Sequence, residues 1–381
     1  MTSRQKNIAI LDSDDMQSLL DALSNKNYRL FGPRIEDHAV ICDQIQAVDD
    51  LPIGWVDRQE AGSYRLVKSK KKMLFGYVVG PHSWKKFLHP PSEKLWEAKR
   101  DEHGFAIIQA AEEPVKTAFI GVRPCELQAL AIHDKVFTEG PHINPLYQQR
   151  RQNLFVVAVN CVRPGGTCFC ASLKTGPKAT SGFDLALTEI LESDRHYFVV
   201  EVGSKAGARM LSELPVKDAS QTEIEAADKK LAQSAAKMSR SLDTEGLKEL
   251  LYRSFDDPHW EEVAKRCLSC GNCTMVCPTC FCVNVEDTTD ISGQNAERWS
   301  RWDSCHTKDL SYIHGGSIRS SAASRYRQWM IHKLAYWYDQ FDVHGCVGCG
   351  RCITWCPAGI DITEEARAIR EKHETIEVEP L

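Results

Sequence analysis

The 381-residue sequence has no apolar run approaching the roughly 20 residues that a membrane helix needs. Its longest, such as Met73–Gly80, are strand-sized, so no direct membrane span is expected. The opening stretch Met1–Gln17 is polar and lacks an apolar core segment, which reads against a signal peptide. Positive charge is not in surplus. Lys and Arg number 47 against 52 Asp and Glu, and the resulting net charge of −5 gives no reason to expect nucleic acid. The one basic run, Lys68–Lys72, reads as a solvated loop face. The G-x-G-x-x-G fingerprint, the P-loop and the nucleophile elbow are all missing, so nothing suggests that the chain binds NAD or ATP by itself. Nor is there a C-x2-C pair spaced to hold a nickel–iron centre.

Cysteine, by contrast, is abundant, with 16 in the chain. Without a leader, that number points to metal in a reducing, cytoplasmic compartment and not to disulfides. Eight of the cysteines stand in two runs of the form C-x2-C-x2-C-x3-C-P, Cys267–Pro278 and Cys346–Pro357. This is the spacing that holds [4Fe–4S] clusters in two-cluster ferredoxins. Three closely spaced thiolates wrap one face of an iron cube, and a helix carries the fourth to the other cube. In that pattern Cys267, Cys270, Cys273 and Cys356 hold one cluster, and Cys346, Cys349, Cys352 and Cys277 hold the other. A zinc site normally takes two C-x2-C pairs, four ligands in all. Eight cysteines in two unbroken runs, with matching Gly271 and Gly350, exceed that need. A structural iron–sulfur or zinc protein without redox duty is nevertheless the competing class.

The length suits two domains and a connector. Residues 1–206 read as an α/β domain. Strands are expected at Thr117–Val122, Asn153–Asn160 and Tyr197–Val202, with helices at Glu126–Lys135 and Phe183–Ser193 between them. Tyr64–Lys68 and Leu74–Val79 are candidates for further strands. Residues 207–266 read as a helical connector: Glu223–Ser239 is rich in Ala, Lys and Glu, and Thr244–Phe255 carries Leu247, Leu250 and Leu251 at helical spacing. Pro258 suits the first turn of a helix running into Cys267. Residues 267–381 read as an α-rich, ferredoxin-like dicluster domain. Its two runs are separated by 68 residues between Cys277 and Cys346, a long insert containing Trp299, Trp302, Trp329 and Trp337. Asp361 can cap a final helix from Ile362, with Glu364 three residues on, ending near His373.

Four more cysteines lie in the α/β domain. Cys125 follows the strand ending at Val122, and Cys161 follows the one ending at Asn160. Ligands gather beyond the carboxyl ends of strands in open α/β sheets. Pro164, Gly165 and Gly166 can turn the chain so that Cys168 and Cys170 return to the same place. These four thiols are expected to hold a third iron–sulfur cluster. The plainer alternative is a set of buried, inert cysteines, and the Cys-x-Cys spacing is the unusual feature. Cys280, Cys282 and Cys305 either pack beside a cluster or coordinate further metal; Cys42 reads as a core thiol. His306, His314, His332 and His344 are uninformative by themselves. Lys308, Arg319, Arg325 and Arg327 can screen cluster charge, form a docking face or simply be solvated.

The segments Gly121-Val-Arg-Pro-Cys125-Glu, Gly165-Gly-Thr-Cys-Phe-Cys170, Cys267…Cys277-Pro-Thr-Cys-Phe-Cys282, Trp302-Asp-Ser-Cys305 and Cys346…Cys356-Pro together resemble one family. It is the iron–sulfur beta subunit of cytoplasmic nickel–iron (sulf)hydrogenases, grouped with the iron–sulfur electron-transfer subunit of anaerobic sulfite reductase. The likeness runs from about residue 70 to the end. It implies an electron-transfer subunit that does no bond chemistry itself. Its partners would be the nickel–iron hydrogenase small and large subunits, or else a sirohaem sulfite reductase subunit, together with a flavin-containing, NAD(P)H-binding subunit.

Overall fold

The computed structural model describes residues 8–110, 113–192 and 194–378. Residues 1–7, which open the polar stretch Met1–Gln17, lie outside them. The first half carries strands β1 (Ile8–Asp12), β2 (Arg29–Glu36), β3 (Ala39–Gln44), β4 (Trp55–Glu60), β5 (Ser63–Lys68), β6 (Ser92–Asp101), β7 (Gly104–Gln109), β8 (Thr117–Val122), β9 (Leu154–Val159), β10 (Leu185–Leu191), β11 (His196–Val202) and β12 (Lys217–Asp218). Eight of these form one sheet in the order β12-β1-β11-β10-β9-β8-β2-β3. Its centre, from β10 through β9 and β8 to β2, is parallel, and the flanking pairs are antiparallel. The central segments Thr-Ala-Phe-Ile-Gly-Val and Leu-Phe-Val-Val-Ala-Val are buried on both faces, as central parallel strands require. The expected mixed α/β domain is present.

Two expected elements are different. Phe183–Ser193 is not a helix; Leu185–Leu191 is strand β10, buried between β9 and β11. Its short apolar run fits either period, and pairing on both edges decides it. Ser193 lies outside the described residues. Leu74–Val79 is buried but makes no strand. Carboxylates satisfy its backbone instead of a ladder: Leu74 and Phe75 N–H donate to Glu189, and Val78 N–H donates to Asp57.

The connector helices are Gln221–Ala236, capped by Ser220 and Glu223, then Leu247–Arg253 and His259–Ala264. Pro258 stands at the N-cap of the last, which ends before Cys267. The 206 boundary falls inside the helix Lys205–Leu211.

The insert between the cysteine runs is not α-rich throughout. It opens with strands β13 (Val283–Thr289) and β14 (Asn295–Trp302), which join β6 and β7 in a sheet ordered β13-β14-β6-β7. Arg298–Asp287 and Arg301–Glu286 ion pairs bridge its antiparallel strands. The sheet therefore draws strands from both halves of the chain. The insert then forms the helix Ala322–Ile331, a wider π turn at His332–Tyr336 and the helix Trp337–Phe341. The final helix, Ile362–Val378, runs past His373. As expected, Asp361 caps it, its carboxylate accepting from the Thr363 N–H at 2.9 Å. Among the described residues, no helix is long and apolar enough to cross a membrane.

Candidate iron–sulfur centres

The two cysteine runs adopt the same local structure. Gly271 and Gly350 lie at φ +76° and +75°, each starting a short helix, Asn272–Met275 and Arg351–Thr354. Two residues earlier, Ser269 and Gly348 are also left-handed, and their N–H groups each lie 3.4 Å from the Sγ of Cys267 and Cys346. Turns of this kind aim backbone N–H groups at anionic sulfur.

Cys267, Cys270, Cys273, Cys352 and Cys356 all line one cavity. Cys270 is exposed. His306, Tyr326 and Trp329 line the cavity too. Both ring nitrogens of His306, the Tyr326 hydroxyl and Trp329 Nε1 are buried without a partner. Buried polar groups rarely stay unpaired, and a sulfur-rich group in this cavity would give them acceptors. Burial, followed by the Cys305, Cys267 and Cys356 thiols, holds Cys273 well above its usual range.

Cys277 lies with the second run. Burial raises Cys352 most, followed by Cys346, Cys349 and Cys277. Cys346 is pushed up to about 12 by burial, against the Gly348 N–H and the Lys333 ammonium. Cys277 moves the other way. Hydrogen bonding with Cys280 first, and then the Lys333 ammonium, whose Nζ donates to its sulfur at 3.2 Å, hold it well below the thiol range, with the Thr279 Oγ1 3.2 Å away. The neighbouring Cys280 is correspondingly raised.

The third group is assembled by the sheet. Strands β8 and β9 are parallel neighbours. Cys125 lies in the first turn of the helix Pro124–Thr138 just beyond β8, and Cys161 lies just beyond β9. At the end of β8, Gly121 sits at φ +91°, and a Cβ there would stand 3.1 Å from the Phe75 ring and 3.3 Å from Pro33, which leaves little room for a side chain. The turn at Gly165–Gly166 brings back Cys168 and Cys170. Cys170 is raised by burial and then by Cys168, Cys161 and Cys349; Cys168 is pushed up to about 12, chiefly by burial and Cys161. Burial, Cys349 and Cys170 raise Cys125. Cys125 and Cys170 thus pack with Cys349 of the second run, and Cys161 and Cys168 are electrostatic neighbours of Cys170. Crowded, buried thiols hold their protons until iron replaces them.

This group is fastened to the second run. The Phe169 N–H donates to the Gly348 carbonyl at 2.9 Å, and the Thr175 hydroxyl donates to the Val347 carbonyl at 2.7 Å. A Cβ on Gly348 would stand 2.7 Å from the Cys170 backbone, and one on Gly350 would stand 2.3 Å from the Thr167 carbonyl. Arg351 pairs with Glu126 and donates to the carbonyls of Gly80 and His82.

Sequence reasoning did not single out Lys333, Arg351 or Glu126. Arg351 and Glu126 stand next to predicted ligands, which was the available signal; Lys333 carried none. Of the cations that were considered, Arg325 reaches Ser269 Oγ, Arg327 reaches the Phe255 carbonyl and Lys308 is exposed. Cys42 is buried in the core as expected. Cys282 and Cys305 are electrostatic neighbours near Lys333. Among the described residues, no three Cys, His, Asp or Glu side chains are placed to hold a single metal ion. A zinc ion would draw its sulfurs to about 2.3 Å from one point.

Fold and site thus define an iron–sulfur electron-transfer protein. Residues 266–360 match the family model of the 4Fe-4S dicluster domain. Over 290 residues the chain is 32% identical to sulfhydrogenase 2 subunit beta of Pyrococcus furiosus, an alignment that covers 75% of this chain and 82% of the relative. The chain belongs to this family of iron–sulfur beta subunits and binds [4Fe–4S] clusters.

Proposed function

We propose that the chain holds three [4Fe–4S] clusters and relays single electrons through them. The ligands are Cys267, Cys270, Cys273 and Cys356 for the first, Cys346, Cys349, Cys352 and Cys277 for the second, and Cys125, Cys161, Cys168 and Cys170 for the third. The second is the middle step, because Cys352 borders the first cavity and Cys349 borders the third group. When bound, each cube supplies one-electron storage. The protein buries the thiols, aims N–H groups at them and carries the first cube to the surface at Cys270.

The observation that supports this reading is the packing of Cys125 and Cys170 against Cys349 of the second run. In this reading a flavin subunit exchanges two electrons with NAD(P)H, and the chain passes them singly to or from the small and large subunits of a nickel–iron hydrogenase. The sulfhydrogenase relative favours that partner over a sirohaem sulfite reductase subunit. The domains would be 1–206, 207–266 and 267–381, in a cytoplasmic complex.

The test is reconstitution. Anaerobically purified protein should hold roughly 12 irons per chain. Alone it should not oxidise NAD(P)H, and it should do so only with the flavin subunit. Stoichiometric zinc with little iron, or robust NAD(P)H oxidation by the chain free of flavin, overturns the reading.

A further inference from the structure

Lys333 lies on the π turn of the insert, and such turns are frequent at functional sites. Its side chain is buried, and Nζ makes two contacts, Cys277 Sγ at 3.2 Å and Thr279 Oγ1 at 3.1 Å. The backbone locks it there. The Gly345 N–H donates to the Lys333 carbonyl at 2.8 Å, and the Thr279 hydroxyl donates to the Gly345 carbonyl at 2.7 Å. Gly345 itself has no room for a side chain, since a Cβ would stand 2.5 Å from the Trp337 ring. The ammonium is thus pinned between the end of the first cysteine run and the start of the second. Among the described residues no carboxylate pairs with it, and the charges that favour it are the thiols Cys277, Cys280 and Cys346.

A buried ammonium without a counter-charge is strongly unfavourable. Among the described residues its leading counter-charges are sulfurs. The other buried lysine nearby, Lys85, spends its ammonium on the Cys280 carbonyl at 2.9 Å and the Trp302 ring at 4.0 Å. The first cavity presents unpartnered donors from His306, Tyr326 and Trp329, and no lysine or arginine among its lining residues. In the third group, Arg123 Nη1 stands 4.0 Å from Cys161 Sγ, but its other nitrogen is engaged by backbone carbonyls.

We propose that Lys333 sets the reduction potential of the middle cube. Its ammonium, hydrogen-bonded to Cys277, would stabilise the more negative, reduced form of the cube that Cys277 helps to hold. Hydrogen bonds to sulfur and local charge are the levers by which proteins tune such clusters. The proposal rests on the ligand assignment above.

The test is a redox titration of the anaerobic, iron-loaded full chain followed by electron paramagnetic resonance. Lys333→Met should lower the midpoint of one cluster and leave the other two unmoved, and Lys333→Arg should restore most of the shift. An unchanged midpoint, an upward shift, or an equal shift in all three overturns the proposal. If Lys333→Met loses the cube, wild-type protein grown with 15N-lysine decides. Electron–nuclear double resonance should show a nitrogen coupling to one reduced cluster that disappears in Lys333→Arg, and no coupling overturns the proposal. Three intact, reducible clusters without any Lys333 effect would sink this inference alone. Failure to bind iron would sink the relay reading instead.

Discussion

Arg351 and Glu126 form an ion pair with both side chains buried, 3% and 1% exposed. Arg351 sits between two cysteines of the second run, and Glu126 follows Cys125 of the third group. One charge pair therefore ties two ligand sets that are more than two hundred positions apart in the chain. The remaining bonds of Glu126, from the Ser83 hydroxyl at 2.9 Å and the Trp84 N–H at 3.2 Å, extend the tie to the buried loop beneath.

Removing one partner of such a pair strands the other charge in the core. Glu126→Gln should lower stability by about 3–5 kcal/mol, measured by denaturant unfolding under anaerobic conditions. The double variant Glu126→Gln with Arg351→Met should lose clearly less than the two single losses added together. Strict additivity would show that the pair is not coupled.

The close approach at Gly348 gives a second prediction. Its φ of +62° and the 2.7 Å distance of a Cβ from the Cys170 backbone leave no place for alanine. Gly348→Ala should cost on the order of 1–3 kcal/mol through backbone strain alone and loosen the loop that carries Cys168 and Cys170. Gly140→Ala, where a Cβ meets nothing within 4 Å, is the control. Equal stability of the two variants would contradict the docking described here.

For the third group, Cys125→Ser or Cys161→Ser should each reduce iron from roughly 12 to roughly 8 per chain while the other two cluster signals persist. Unchanged iron and spectra in both variants would return these cysteines to inert packing.

The buried histidines predict a pH dependence. His133 is lowered from 6.5 to about 3 by burial, helped by Lys85, and His89 to about 4 by burial and Lys85. Both are neutral in the fold, while the unfolded chain takes up protons once pH falls below 6.5. Stability is therefore fully present above that pH and is lost as pH falls toward 4, by at most about 1.4 kcal/mol per pH unit for each group. Denaturation midpoints should fall between pH 7.5 and 5.5, and His133→Phe should flatten the slope. An unchanged slope would mean that His133 is charged in the fold.

The cysteine runs were legible because a cubane imposes a strict local spacing, and the chain repeats it with its glycines in register. The parallel strands at Thr117–Val122 and Asn153–Asn160 were legible as well. Strands buried on both faces must be continuously apolar, and Cys125 and Cys161 do lie just beyond their carboxyl ends. Segments whose structure depends on distant partners were not legible. Leu185–Leu191 has spacing compatible with a helix and becomes a strand only between β9 and β11. Leu74–Val79 looks like a strand but finds carboxylates in place of a ladder. The β13–β14 hairpin exists because β6, some two hundred residues earlier, offers it an edge. Nothing local marks Lys333 as different from the many solvated lysines of the chain. Local pattern sufficed wherever the chemistry is short-range and repeated. Tertiary packing alone decided which charge is buried against which sulfur, because burial and counter-charge belong to the assembled core and to no single stretch of sequence.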